Sequence, residues 1–397
     1  MSILFEPVML GNLAVKNRFV HSATYEAMAA ETGEVTGRLV ERYRRLAQGE
    51  VGLVIPGGLY VHPLGRASRR QAGIHSDPMI AGLRQVVDAV HRSGGTIVFQ
   101  LMHAGGQARR EAIGGTPLAP SARVRDPVNF RRPATMGEAQ IAEAIHSFGE
   151  AARRAVEAGA DGVQLHAAHG YLINQFLSPF YNHRSDRWGG SEENHFRFLH
   201  EVVRETRGAL SGGMPLLVKL NVHDYTPGEG ITPPLAARYA GRLAQLGVDG
   251  LELSCGTAHS YMNMCRGKVP VAGLLEGVPR WRKPIVKLLL GRLVGEYDLH
   301  GPYNLEAARV IRPACGEARL LLVGGLRSLS EMEEAVEGGH ADLISMSRPF
   351  IREPSLVRRL RLGHTDLASC TSCNQCFAAM VNDRPVRCYD GGSGSDL

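Results

Sequence analysis

Two histidines and a tyrosine fall within six residues in the segment His166-Ala-Ala-His169-Gly-Tyr171. Two imidazoles and a phenol at this spacing can point into one pocket and donate hydrogen bonds to a substrate oxygen. A tyrosine, with an ordinary pKa of about 10, is protonated at neutral pH and can supply a proton to a carbanion. Structural histidines or a His-x-x-His metal pair are the alternatives, but no third metal ligand follows nearby.

Four of the seven cysteines lie in the last 28 residues, as Cys370-x2-Cys373-x2-Cys376 and, after eleven intervening residues, Cys388. Thiolates at two-residue intervals can bind one corner of a metal centre, which a distant fourth thiolate closes. No secretory signal is visible in residues 1–9, so disulfides are not expected. An iron–sulfur cluster or a four-thiolate zinc site fits this spacing. The remaining cysteines are expected to be packing residues: Cys255, Cys265 and Cys315.

Eight short apolar runs, rich in Val, Ile and Leu, are typical of strands buried on both faces of a parallel sheet. They are residues 18–23, 51–56, 96–101, 161–165, 215–220, 248–253, 319–323 and 341–346. Amphipathic stretches predict helices between them, among them 77–91, 137–157, 233–246 and 328–337. This alternation predicts a (β/α)8 TIM barrel over residues 1–362, followed by a cysteine-rich metal-binding tail over 363–397. A doubly wound fold is disfavoured because no G-x-G-x-x-G follows a strand.

The composition is that of a globular enzyme. The 397 residues carry a formal net charge of +6, and the arginines are scattered, which argues against a nucleic-acid-binding surface. Without an uncharged apolar run of 18 residues, no membrane span is expected, and a cytoplasmic location follows as an expectation. The interval 254–317 is too long for one helix and predicts additional structure.

Polar residues and glycines follow the predicted strands, where barrel enzymes bind their ligands. Gly324-Gly325 and Ser347-Arg348 follow strands seven and eight, the usual phosphate site of such barrels. Glycine exposes backbone N–H groups, and arginine can clamp a phosphate with two hydrogen bonds. Gln100 ends strand three and could pair with a heterocycle edge, whereas Lys219 ends strand five and could stabilise negative charge on a reduced ring.

A longer motif resembles the old yellow enzyme family of FMN-dependent oxidoreductases. It runs from His166 through Leu-Ile-Asn-Gln-Phe-Leu-Ser to Pro179, and continues as Asn182-His-Arg-Ser-Asp-Arg-Trp-Gly-Gly-Ser191. Shorter matches extend the resemblance over roughly residues 3–360. They are Asn17-Arg18, Gly57-Gly58, Gln100-Leu-Met-His103, Ala119-Pro-Ser121 and Ser345-Met-Ser-Arg-Pro-Phe350.

The resemblance implies a barrel that binds FMN, accepts hydride from NAD(P)H and passes it to an activated alkene. It places Ser22, Ala23, Thr24, Tyr25 and Gly58 along the isoalloxazine. It further implies that Gln100 contacts the pyrimidine edge, that Lys219 lies by N1 and O2, and that the phosphate is held by Gly324, Gly325, Ser347 and Arg348. His166 and His169 would bind the substrate oxygen, and Tyr171 would donate the proton.

The cysteine segment resembles the [4Fe-4S] segment of the 2,4-dienoyl-CoA reductase and trimethylamine dehydrogenase branch. Larger members carry nucleotide-binding domains after the cluster, and this chain ends nine residues past Cys388, so no resident FAD or NAD(P)H domain is expected. Electrons would come from NAD(P)H docking over FMN or from a partner protein through the cluster. An ene-reductase acting on a small molecule is the leading expectation. An amine dehydrogenase or N-demethylase, with an aromatic cage for the amine, and an electron-transfer subunit are the alternatives; a homo-oligomer is also possible.

Overall fold

A computed structural model describes residues 2–127 and 132–391, and a closed parallel barrel is its central element. The strands in this part of the chain are β1 (Val8–Leu10), β2 (Leu13–Val15), β3 (Phe19–His21), β4 (Leu53–Val54), β5 (Leu59–Tyr60), β6 (Thr96–Met102), β7 (Leu118–Ala119), β8 (Ala134–Thr135), β9 (Gly162–Ala167), β10 (Leu216–Asn221), β11 (Gly250–Ser254), β12 (Arg319–Val323) and β13 (Leu343–Met346). Within the described residues, eight of them pair in parallel in the order β3-β4-β6-β9-β10-β11-β12-β13, and β13 closes the ring on β3. These eight coincide with the eight predicted runs, so the predicted barrel is confirmed.

Helices surround the barrel and fill the connections between its strands. They are α1 (Gly37–Gln48), α2 (Met79–Arg92), α3 (Arg110–Ile113), α4 (Glu138–Ala158), α5 (Leu172–Leu177), α6 (Glu192–Ala209), α7 (Pro233–Gln245), α8 (Tyr261–Met264), α9 (Val271–Leu274), α10 (Lys283–Gly291), α11 (Leu305–Ile311), α12 (Leu329–Glu337), α13 (Arg348–Arg352), α14 (Leu356–Arg361) and α15 (Gln375–Val381). All four predicted helices form. The helix α12 begins with a capping box, in which Ser328 and Glu331 satisfy each other's backbone N–H groups.

The barrel interior is apolar at the amino ends of its strands. Side chains such as Val98, Leu217 and Leu321 fill this end and pack against Leu10 and Val15 from the antiparallel pair β1–β2. That pair closes the bottom of the barrel. It was not predicted, because two three-residue strands are too short to show a hydrophobic period. With one end sealed by apolar packing, the carboxyl ends of the strands are left for a ligand site.

The long connection between β11 and β12 contains α8, α9, α10 and α11, which confirms the predicted additional structure. Its helix α9 lies against α15 in the cysteine tail, where Asn382 Nδ2 donates to the Gly273 carbonyl over 3.0 Å. The tail therefore packs on the end of the barrel where the carboxyl ends of the strands lie. Over the described ranges, no helix has both the length and the apolar character needed to cross a membrane.

Candidate active site

A chain of buried polar side chains crosses the carboxyl end of the barrel. Lys219 Nζ on β10 lies 3.3 Å from Glu252 Oε2 on β11 and donates to Ser22 Oγ over 2.8 Å. Gln164 on β9 donates to Glu252 over 3.0 Å and accepts from Gln100 over 2.7 Å. The structure therefore brings together Ser22, Gln100 and Lys219, which were predicted to face the flavin.

Gln164 and Glu252 were missed by the sequence analysis, although each is a polar residue with apolar neighbours on both sides in its strand. Glu252 is fully buried, as is the ammonium group of Lys219 beside it. A buried charge is strongly unfavourable without a partner, so each of these two holds the other in place. Within the described residues, Glu252 Oε1 has no hydrogen-bond partner, and the carboxylate thus retains one acceptor for a ligand.

One wall of the site, next to this chain of polar side chains, is formed by His166, His169 and Tyr171. The His166 ring centroid lies 5.0 Å from that of His169 and 4.9 Å from that of Tyr171, and both contacts are edge-on. The backbone N–H of Ala168 donates to His166 Nδ1 over 3.3 Å, so the neutral imidazole carries its proton on Nε2. Ser254 Oγ lies 2.7 Å from His169 Nε2; when the hydroxyl donates, His169 carries its proton on Nδ1.

Burial determines the charge of these three groups. It holds the pKa of His166 and of His169 well below the usual value, and the ammonium of Lys219 lowers both further. Burial also raises the pKa of Tyr171. At neutral pH the imidazoles are therefore uncharged hydrogen-bond donors, and the phenol keeps its proton.

Buried amides hold the turn that carries this wall, in which His169 has a positive φ of 62°. Asn221 Oδ1 accepts from the His169 N–H over 3.3 Å, and Asn174 Oδ1 accepts from the Gly170 N–H over 2.6 Å. Both amides also donate to Asp224 Oδ1, over 2.7 and 3.3 Å. Asn174, Asn221 and Asp224 are thus positioning residues that sequence reasoning did not single out.

A cavity of about 100 Å³ lies at the ends of β12 and β13. The predicted phosphate ligands all line it, together with two further polar residues: Gly324, Gly325, Arg327, Ser345, Ser347 and Arg348. Within the described residues, the buried atoms Arg327 Nε and Ser345 Oγ lack hydrogen-bond partners, as expected of donors that await a ligand. Gly325 has φ 89°, and a Cβ there would collide with the Gly301 carbonyl. The arginines, the hydroxyls and the glycine backbone are a donor set that fits the FMN phosphate.

Loops that follow neighbouring strands of the barrel contact one another at this end. Thr24 Oγ1 lies 2.7 Å from Ser347 Oγ. A Cβ on Gly58 would lie 3.0 Å from Gln100 Oε1, so the glycine allows its backbone to lie close to the Gln100 side chain. Ala23 packs against the apolar interior of the barrel. Tyr25, by contrast, donates from its hydroxyl to Asp383 Oδ1 in the cysteine tail over 3.1 Å.

Cys370, Cys373, Cys376 and Cys388 line one small cavity, of about 20 Å³. Burial raises the pKa of Cys376 to about 12, so its thiol is protonated. In the described part of the chain, no group of three or more His, Cys, Asp or Glu side chains has an arrangement that could hold a metal ion. The structure thus gathers the four predicted cysteines around one space without showing a metal site.

The closed barrel, with a donor-lined cavity at its last two strands and a buried lysine at its centre, has the architecture of a flavin-binding oxidoreductase. Residues 3–260 match the model of the NADH:flavin oxidoreductase / NADH oxidase family, and the chain belongs to that family. It is an FMN-dependent NAD(P)H oxidoreductase of the old yellow enzyme type. It is 34% identical over 354 residues to an NADPH dehydrogenase of Geobacillus sp. (strain WCH70), covering 89% of this chain and 92% of the relative.

Larger relatives extend the similarity into the cysteine tail. A metal reductase of Desulforamulus reducens is 32% identical over 391 residues, which cover 98% of this chain and 53% of that protein. A solved 2-naphthoyl-CoA reductase complex superposes with a TM-score of 0.85 at 27% identity, over 97% of this chain and 56% of that one. An old yellow enzyme homologue from Zymomonas mobilis superposes with a TM-score of 0.73 at 25% identity, over 92% and 94% of the two chains.

Replacing Arg348 by Met should weaken FMN binding to the deflavinated protein by about 10- to 100-fold, the loss expected for a charge-assisted hydrogen bond. Fluorescence titration with FMN measures the dissociation constant. Arg358→Met, an exposed arginine on α14, is the matched control and should bind FMN as the parent protein does. Equal affinities of the two variants would remove Arg348 from the phosphate site.

Proposed function

We propose that this enzyme reduces a C=C bond conjugated to a carbonyl or thioester group. Bound FMN would supply the hydride. Its isoalloxazine ring would be positioned by four residues: Ser22, Gly58, Gln100 and Lys219. The observation that carries the proposal is the grouping of two neutral imidazoles and a protonated phenol on one wall, with ring centroids about 5 Å apart. Two donors and one acid are the groups that this reduction requires.

The two imidazoles would bind the substrate oxygen. Negative charge develops on that oxygen as hydride reaches the β carbon, and N–H donors aimed at it stabilise the transition state more than the ground state. One such donor is typically worth about 2.7–4 kcal/mol. His166 Nε2 is free to donate because its Nδ1 already accepts from Ala168.

Tyr171 would deliver the proton to the α carbon. It is the residue that immediately precedes α5, and its ring packs edge-on against His166, one of the two proposed oxygen donors. Because burial raises its pKa, the phenol keeps its proton until a carbanion develops nearby.

The surroundings favour alkene reduction over amine oxidation. The amine alternative would build its aromatic cage from Tyr25, Tyr60, Tyr171, Tyr181, Trp188 and Tyr261. The Arg66 guanidinium already lies 5.4 Å from the Tyr60 ring centroid, so a cation of the chain itself covers one of these rings. Trp188 is buried and its indole N–H donates to Glu138, so its ring is not open to an amine. The similarity to the solved 2-naphthoyl-CoA reductase complex supports a thioester as one candidate substrate.

We further propose that residues 363–397 form a metal-binding tail on the barrel of residues 1–362, and that its four cysteines bind a [4Fe-4S] cluster, with zinc as the alternative. Their common cavity supports this, as does Arg352, whose Nη1 donates to Cys388 Sγ over 3.4 Å and would stabilise a thiolate. Cys376 also lines the phosphate cavity. A cluster there would lie beside FMN, where electrons from a partner protein could enter.

Tyr171→Phe should lower the rate of enone reduction by about 100-fold or more, because it removes the proton donor. Reduction of the flavin by NADPH should persist, since that step needs no proton from Tyr171. Anaerobic stopped-flow absorbance at the flavin band separates the two half-reactions.

The control for this variant is Tyr239→Phe, which removes a buried phenol hydroxyl on α7 that donates to Leu177. It should leave both half-reactions unchanged. If the Tyr171 variant reduces the enone at the parental rate, Tyr171 is not the acid. If it loses flavin reduction instead, the chain functions in electron transfer.

The rate of enone reduction should vary little between pH 6 and pH 9. The pKa of each imidazole is lowered, so both stay neutral as the pH falls to 6; the pKa of Tyr171 is raised, so its proton is retained as the pH rises to 9. Single-turnover rates across this range test the expectation. An inflection near the ordinary histidine value of about 6.5 would show that a charged imidazole takes part.

Protein purified without oxygen should contain about four iron atoms and four sulfides per chain. Cys373→Ser should remove most of the iron and sulfide. Cys315→Ser should retain them, because Cys315 is a buried cysteine whose thiol donates a hydrogen bond to the Ile311 carbonyl. Metal analysis with a sulfide assay provides the measurement. One zinc per chain without sulfide would favour the zinc site over the cluster. If the anaerobic protein contains no metal, both the cluster and the zinc site are rejected.

A further inference from the structure

The connection between β11 and β12 presents an apolar helix face to solvent. Trp281 is 72% exposed, and Ile285, Leu288 and Leu289 are each more than half exposed on the helix α10 and the turn before it. Their spacing of three to four residues places them on one side of the helix. Leu290, on the opposite side, is buried. Apolar side chains grouped in this way mark an interaction surface.

The same segment carries most of the net charge of the protein. Residues 277–295 contain no acidic residue but five basic ones, against a formal charge of +6 for the whole chain. These are Arg280, Arg282, Lys283, Lys287 and Arg292. Within the described residues, no carboxylate pairs with any of them, whereas the nearby Glu276 pairs with Arg384 over 3.1 Å. The segment is therefore a concentrated, uncompensated cationic surface around an apolar ridge.

We propose that residues 280–294 form a peripheral docking element for an anionic lipid bilayer. A second copy on the same surface is disfavoured, because a twofold contact would oppose five cations with the same five. A bilayer accepts a protruding apolar ridge without a matching groove. The stems of Lys283 and Lys287 can lie along the apolar ridge while their ammonium groups reach the headgroups, and tryptophan favours that boundary.

The position of the segment gives this docking a consequence for the active site. It belongs to the connection that follows β11, at the end of the barrel where His166 and Lys219 lie. The residues just before it in the same connection are joined to the cysteine tail, because Asn382 donates to the Gly273 carbonyl and Arg384 pairs with Glu276. Docking would therefore turn the ligand end of the barrel towards the membrane.

Tryptophan fluorescence can report contact between this segment and a bilayer. The chain has two tryptophans, of which Trp188 is buried and donates to Glu138 Oε2 over 2.7 Å, whereas Trp281 is exposed. The FMN-loaded protein is mixed with vesicles of equal parts phosphatidylglycerol and phosphatidylcholine, or of phosphatidylcholine alone. We expect sedimentation and a blue shift of tryptophan emission with the anionic vesicles only, and no shift in Trp281→Phe.

Charge and apolar variants separate the two contributions. The double variant Lys283→Glu, Lys287→Glu should bind anionic vesicles at least about 25-fold more weakly, since each basic residue near such a surface contributes about fivefold. Ile285→Ser, Leu289→Ser should lose binding with the charge intact. Arg92→Glu, Arg204→Glu changes two exposed arginines elsewhere by the same total charge and should bind as the parent protein does. Flavin content confirms the fold of each variant.

Failure of the parent protein to bind anionic vesicles would overturn the proposal. An equal loss in the two charge-reversed variants would overturn it as well, because attraction would then come from overall charge and not from this segment. Self-association abolished by Ile285→Ser, Leu289→Ser, without vesicle binding, would assign the surface to a second copy. Binding to an acidic protein in place of vesicles would assign it to a protein partner.

Discussion

The ion pair between Lys219 and Glu252 is the constraint around which the ligand end of the barrel is organised. A charge inside a barrel is stable only when an opposite charge and hydrogen bonds surround it. Neighbouring strands supply them, because the parallel pairing of β10 and β11 sets Lys219 directly opposite Glu252. The remaining polar side chains, Gln164, Gln100 and Ser22, extend this network across the barrel. The ammonium is thus held at the centre of the site before any ligand arrives.

The same lysine influences the chemistry of the neighbouring wall. Its positive charge adds to burial in lowering the pKa of His166 and His169, so both imidazoles remain neutral donors. In the reaction we propose, the two neutral imidazoles would donate hydrogen bonds to the carbonyl oxygen, and the separate phenol of Tyr171 would serve as the acid. The division of roles among three adjacent rings follows from where each is buried and not from residue type alone.

Arg348 connects the cofactor end of the barrel to the cysteine tail. Its Nη1 donates to the Arg266 carbonyl over 2.8 Å and to Asn374 Oδ1 over 2.6 Å, and the residue lines both the phosphate cavity and the cysteine cavity. Tyr25 makes a second connection through Asp383, which also pairs with Arg109 over 3.1 Å. The tail is therefore joined, by hydrogen bonds and an ion pair, to the loops at the ligand end of the barrel.

The sequence by itself determined the barrel, because eight apolar runs separated by amphipathic stretches have few other ways to bury their surfaces. It also determined the family, through the motif that begins at His166, and which strand ends carry Gln100, Lys219 and Arg348. Only the tertiary structure decided the partners of these groups. The pairing of Lys219 with Glu252, and of Tyr25 with Asp383, joins residues 33 and 358 positions apart, and no local pattern encodes such distances. Protonation was likewise decided in three dimensions, because pKa values depend on burial and neighbouring charge, which exist only once the chain has closed on itself.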